Sequence, residues 1–113
     1  MKVAIIGSRG IEQLDLGKYL PEETDEIISG GAKGVDTLAR EYANAHGIKL
    51  TEFLPDYRRF GRGAPLKRNL QIIDAADLVL ALWDGKSRGT RFVIETREKE
   101  GGEVRVFLVD GIQ

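Results

Sequence analysis

Apolar residues in this chain gather in five short runs, at 2–6, 25–28, 48–54, 78–83 and 104–109, each bounded by glycine, proline or charged residues. Runs of that length read as strands of a buried sheet. Between them the apolar positions take on helical spacing. The clearest case places Val35, Leu38, Ala39, Tyr42 and Ala43 on one face, with His46-Gly47 as a C-terminal stop. Further helical patterns cover 14–20, 66–75 and 90–100. Alternating strand and helix implies parallel strands, right-handed crossovers and helices on both faces of the sheet. The expected fold class is α/β, a three-layer Rossmann-like sandwich around a five-stranded parallel sheet.

Composition within the runs orders the strands. Val3-Ala4-Ile5-Ile6 and Leu78-Val79-Leu80-Ala81-Leu82 are continuous apolar runs, as central parallel strands covered on both faces must be. The run at 48–54 alternates, and Val104-Arg105-Val106 is interrupted by a charge, as edges tolerate. The resulting order is 3-2-1-4-5. Its topological switch point, where such folds place their ligands, lies between strands one and four.

Three glycine-rich turns then fall on one rim, each after a strand: Gly7-Ser8-Arg9-Gly10, Ser29-Gly30-Gly31-Ala32-Lys33-Gly34 and Asp84-Gly85-Lys86-Ser87-Arg88-Gly89-Thr90. Backbone N–H groups in such turns, and helix N-termini behind them, attract phosphate, and every turn here carries a cation. Asp36, in the first turn of a helix, and Asp84, after the fourth strand, read either as caps or as acids facing a ribose. They are also the candidate catalytic groups. Trp83 and Tyr57 offer rings for a base. Ser8, Ser29 and Ser87 have neither an elbow motif nor a general base, and read as hydrogen-bond donors.

Other chemistries are excluded. The dinucleotide fingerprint is absent, because Ser29-Gly30 stands where an acid should end the second strand. Gly85-Lys86-Ser87 lacks the earlier glycine of a phosphate loop, since Leu80 occupies that place. His46 is the only histidine and there is no cysteine, which leaves no metal set, no triad and no implied cofactor. The 113 residues make one domain, expected to be cytoplasmic and without a membrane segment. A net charge of −1 argues against bulk binding to nucleic acid. Even so, Arg58, Arg59, Arg62, Lys67 and Arg68 form a local basic stretch opposed by one acid, Asp56, expected as a surface segment on the same rim.

Together the turns and the segment Pro65-Leu66-Lys67-Arg68-Asn69 resemble the SLOG superfamily, which includes DprA, the LOG phosphoribohydrolases and the YspA and YpsA-related proteins. Ser29-Gly30-Gly31-Ala32-Lys33-Gly34-Val35-Asp36 is similar to its S-G-x-A-x-G-[IV]-D segment, and the whole pattern comes nearest to the stand-alone YspA-like branch. The resemblance implies a nucleotide-like ligand at the strand ends and a homodimer. It implies a pocket lined by Gly7, Ser8, Arg9, Gly30, Gly31, Lys33, Gly34, Asp36, Arg68, Asn69, Ser87, Gly89 and Thr90; the turns themselves add Ser29, Trp83, Asp84, Gly85 and Arg88. LOG-type enzymes carry a catalytic glutamate three residues after their Gly-Thr, where this chain has Val93. Glu95, two residues on, is rotated about 200° away. Binding or sensing of a nucleotide-derived ligand is therefore the expected function. The alternatives are a nucleoside 5′-monophosphate phosphoribohydrolase and DprA-like binding of single-stranded DNA through the basic stretch.

Overall fold

A computed structural model describes residues 1–109. Five strands, β1 (Lys2–Gly7), β2 (Glu26–Ser29), β3 (Lys49–Glu52), β4 (Leu78–Trp83) and β5 (Val104–Leu108), form one sheet in the order β3-β2-β1-β4-β5. All neighbours are parallel, with Val3 opposite Ile27 on one side and Leu78 on the other. Helix α1 (Val35–His46) follows β2, α2 (Tyr57–Phe60) and α3 (Ala64–Ala75) follow β3, and α4 (Arg88–Lys99) follows β4. The expected α/β sandwich and its strand order are both present.

Alternation along the strands divides the core in two. Val3, Ile5, Ile27, Leu78, Leu80 and Leu82 face one side and pack on Val35, Ala39 and Ala43 of α1, with Ile11 and Leu16 from the first connection. Ala4, Ile6, Ile28, Val79 and Ala81 face the other side and pack on Ile72 and Ile73 of α3 and Val93 and Ile94 of α4. At the amino end of the sheet, Arg97 donates to the carbonyls of Ile73, Ala76, Asp77 and Glu103 and so clasps α3, β4 and the start of β5.

Two elements differ from the sequence reading. The helix expected over 14–20 is a single 3-10 turn, Leu16–Lys18, capped by the Asp15 carboxylate on the Gly17 N–H. Gly17 and Pro21 leave too few residues to propagate a helix, so Leu14, Leu16 and Leu20 reach the core from irregular backbone. The strand expected over 48–54 spans only Lys49–Glu52, because the chain turns away after the Phe53 N–H bonds the Ser29 carbonyl. The basic stretch lies at the surface, with Arg58, Arg59, Arg62 and Lys67 exposed, and has regular structure. It forms α2, a 3-10 turn at Gly61–Gly63 and the start of α3, with Pro65 in the first turn where its missing N–H costs nothing.

Candidate functional site

A cleft of about 450 Å³ opens at the carboxyl ends of β1, β2 and β4. This is the switch point between β1 and β4. Its floor is apolar, made by Ile6, Ile72 and Val93, and its rim is polar, made by Arg9, Asp36, Arg68, Asn69, Asp84, Ser87 and Thr90 with backbone of Gly7, Gly30 and Gly89. All three glycine turns therefore meet in one place. Gly10, Ala32 and Pro65 complete the wall.

Arg68 and Asp36 organise the side of the cleft near β2. Both are almost fully buried, each 9% exposed. The Arg68 Nη1 donates to the Gly30 carbonyl at 2.6 Å and Nε to the Asn69 side-chain oxygen at 2.9 Å, which fixes the plane of the guanidinium. Asp36 Oδ2 accepts the Ala32 N–H at 3.0 Å, so this carboxylate ties the second glycine turn to α1. A side chain on Gly30 would run into Arg68 Nη1 at 2.6 Å and approach Asp36 Oδ2 at 3.1 Å. Glycine is required there by the pair behind it.

The opposite wall is built by Asp84. Its Oδ1 accepts the N–H groups of Lys86 and Ser87, each at 2.8 Å, and its own N–H donates to the Ser8 hydroxyl at 3.1 Å. These bonds lock the third turn to the first and orient the start of α4. Among the described residues the N–H groups of Arg88, Gly89 and Thr90 donate to no protein acceptor. Gly89 has open space where a Cβ would stand. The first turn of α4 thus presents unpaired donors, and the positive end of its dipole, to the cleft.

The two acids titrate in opposite directions. Burial pushes the Asp36 carboxyl above the ordinary aspartate value of 3.8, while the Ala32 N–H, the Arg68 charge and the Ser29 hydroxyl pull the other way. The N–H groups of Ser87 and Lys86 hold Asp84 below 3.8, with the Ser8 hydroxyl adding to them. A folded-state value above the unfolded one means the native protein holds the Asp36 proton more tightly. Stability therefore falls as pH rises from 3.8 through the raised value. Asp84 has the opposite sign: its contribution is present above 3.8 and is lost as pH falls through the depressed value. Asn at position 36 can still accept the Ala32 N–H but cannot ionise. In urea unfolding from about pH 3 to 7, Asp36→Asn is expected to flatten the decline on the alkaline side of this window; an unchanged profile would contradict the assignment.

Several expected site residues lie outside this wall. Ser8 and Ser29 are buried behind it and serve the turns, Ser29 by accepting the Gly31 N–H. Gly31 is required by its φ of 68°, and Gly34 (φ 73°) both by its conformation and by the Arg9 and Ser8 carbonyls packed against it. Gly85 (φ 82°) faces Leu108. Lys33 and Arg88 are exposed and not part of the wall. Trp83 donates its indole N–H to the Ser87 carbonyl, and the Arg91 guanidinium lies 5.4 Å from the ring centroid, which makes Trp83 a support for the third turn. Sequence reasoning missed the floor, Ile6, Ile72 and Val93, and the wall residues Gly10, Ala32 and Pro65. The floor's signal was indistinguishable from ordinary core.

Val93, standing where LOG enzymes carry their glutamate, is 1% exposed and seals the bottom of the cleft, whereas Glu95 is exposed on the outer side of α4. Among the described residues no helix is long and apolar enough to cross a membrane. Neither the curated proteins nor the solved structures provide a significant match to the chain. A family model described as "YAcAr: YspA, cpYpsA-related SLOG family" matches residues 1–60, which takes in β1, β2, the first two glycine turns and α1 but not the Arg68 or Asp84 segments. With more than half its length matched and the corresponding fold in place, the chain belongs to the YspA, cpYpsA-related SLOG family.

Proposed function

We propose that the protein binds, and thereby senses, a nucleotide-derived ligand in the cleft at the carboxyl ends of β1, β2 and β4. The observation that carries this reading is the unpaired first turn of α4 facing Arg68 across an apolar floor. A phosphate accepts from the N–H groups of Gly89 and Thr90, the base rests on Ile6, Ile72 and Val93, and Asp84 accepts from ribose hydroxyls. Arg9, at the exposed mouth, adds a further cation. Family membership agrees with nucleotide-related binding or processing.

Gly89→Ala separates this reading from a purely structural one. Alanine is better than glycine in a helix by roughly 0.8–1 kcal/mol, and nothing within 4 Å obstructs its Cβ. The variant is expected to melt higher than the wild type. It is also expected to lose at least about ten-fold in affinity for nucleoside 5′-monophosphates by calorimetry, because the methyl occupies the approach to the N–H groups. A variant that is stabilised and binds undiminished would place the ligand elsewhere.

A phosphoribohydrolase reading keeps one specific support: Asp84 brings an ionised carboxylate to the cleft although the family glutamate is replaced by Val93. In that reading Asp84 steadies an oxocarbenium-like transition state. Free base released from a panel of monophosphates, and abolished by Asp84→Asn, is its expected signature; no release by the wild type removes it.

A further inference from the structure

A second cavity of about 280 Å³ adjoins the cleft, walled chiefly by Phe53, Leu54, Arg59, Phe60, Lys67 and Arg68. Arg68 belongs to the walls of both cavities. With Nη1 on the Gly30 carbonyl and Nε on Asn69, its guanidinium is held as a fixed partition, and Nη2 has no acceptor among the described residues. The cations of the second cavity surround a ring: the Arg59 guanidinium lies 5.1 Å and the Lys67 Nζ 5.7 Å from the Phe60 centroid.

Charge separates the two halves. The acids of the second cavity are already engaged, Glu52 with Arg40 at 2.9 Å and Asp56 as the cap on the Arg59 N–H. Arg59 and Lys67 make no ion pair among the described residues. In the first cavity, by contrast, Arg9 and Arg68 are balanced by Asp36 and Asp84, so that half has no surplus for a polyphosphate. Additional negative charge on a ligand is best received beyond Arg68, beside Phe60, a residue 36% exposed.

We infer that the two cavities form one bipartite site for two nucleotide units joined by a phosphodiester, with the linking phosphate at Arg68 and the second base against Phe60. This deepens the nucleotide reading and rests on it. One phosphate per unit matches the distribution of cations, and a stacked base is sequence-tolerant and worth about ten-fold or more in affinity. The ring and its two flanking cations are what a lone mononucleotide in the first cavity leaves unused.

The test is calorimetry at one fixed ionic strength with the 5′-monophosphates of adenosine, cytidine, guanosine and uridine and with the corresponding 5′-phosphorylated dinucleotides. At least one dinucleotide is expected to bind about ten-fold tighter than its mononucleotide. Phe60→Ala and Lys67→Ala, both at surface positions, are each expected to remove most of that gain and to leave mononucleotide affinity unchanged, with folding checked by circular dichroism. Equal affinities for the two ligand sets would overturn the inference while leaving the nucleotide reading intact. So would a gain that survives both substitutions, or one that keeps growing up to a twelve-nucleotide strand. Association with phosphatidylserine vesicles without any dinucleotide gain would assign the patch to a lipid surface instead. Failure of every mononucleotide and dinucleotide to bind would end both readings.

Discussion

Replacing Gly34 by alanine is expected to destabilise the protein by about 3–5 kcal/mol, a large share of the roughly 5–15 kcal/mol that holds a domain of this size together. Two causes act together. The residue caps α1 at φ 73°, a conformation that side-chain-bearing residues rarely adopt, and its Cβ would stand 2.5 Å from the Arg9 carbonyl oxygen and 2.6 Å from that of Ser8. Neither neighbour is a flexible side-chain tip. Both are backbone of the first glycine turn, so relief requires moving β1 relative to α1. Thermal unfolding should show a loss of about 15 °C or more. Gly63→Ala is the control, because that glycine has a negative φ and open space around it and should tolerate the change. If Gly34→Ala melts with the wild type, the contact between the first and second turns is not as described.

Arg68→Ala is expected to cost a similar amount, about 3–5 kcal/mol, for a different reason. It deletes the donor to the buried Gly30 carbonyl and the charge that offsets Asp36, leaving a carboxylate in low-dielectric surroundings. A double-mutant cycle isolates the second effect. Asp36→Asn in the Arg68→Ala background is expected to recover roughly 1–3 kcal/mol, measured by urea unfolding near neutral pH, because it removes the carboxylate left without its partner. Additive losses would mean that the two side chains are neighbours without coupling. The decline of stability with pH should also steepen in Arg68→Ala, since removing an attractive positive charge raises the Asp36 value further. Nucleotide affinity should fall by at least ten-fold, roughly what a single charge-assisted hydrogen bond contributes. Arg68→Lys separates fold from function: the ammonium reaches one acceptor and keeps the charge, but loses the planar fork that divides the two cavities.

Much of the fold could be read from residue order because the central strands and α1 carry signals with a single physical meaning. Val3 to Ile6 and Leu78 to Leu82 are apolar at every position, which only a strand covered on both faces requires. The misreadings share a cause. Leu14, Leu16 and Leu20, like Phe53 and Leu54, are apolar residues that serve packing or a cavity wall from irregular backbone, and periodicity cannot distinguish those uses from a regular element. At the site, the rim was legible through its glycines, since turns after parallel strands must gather at one edge. Which side of each turn faces the cleft was not legible. Lys33 and Arg88 differ from Arg9 and Arg68 only in direction, and direction is set by contacts such as that of Arg68 on Gly30, far away along the chain. The apolar floor was hidden for the complementary reason: Val93 and Ile72 serve the core and the cleft with the same side chain.

Arg97 gives the molecule two unlike poles. Its guanidinium is committed to four main-chain oxygens, and Gly102 beside it leaves no room for a side chain. A group that never loses its proton and leans on no carboxylate is indifferent to acidity and only weakly sensitive to ionic strength. The cleft end does respond to acidity, through Asp36 and Asp84 with opposite signs. Acidification through the Asp84 range will therefore loosen the third glycine turn from one side of the molecule while the far side keeps its geometry, a built-in asymmetry between the two ends of the sheet.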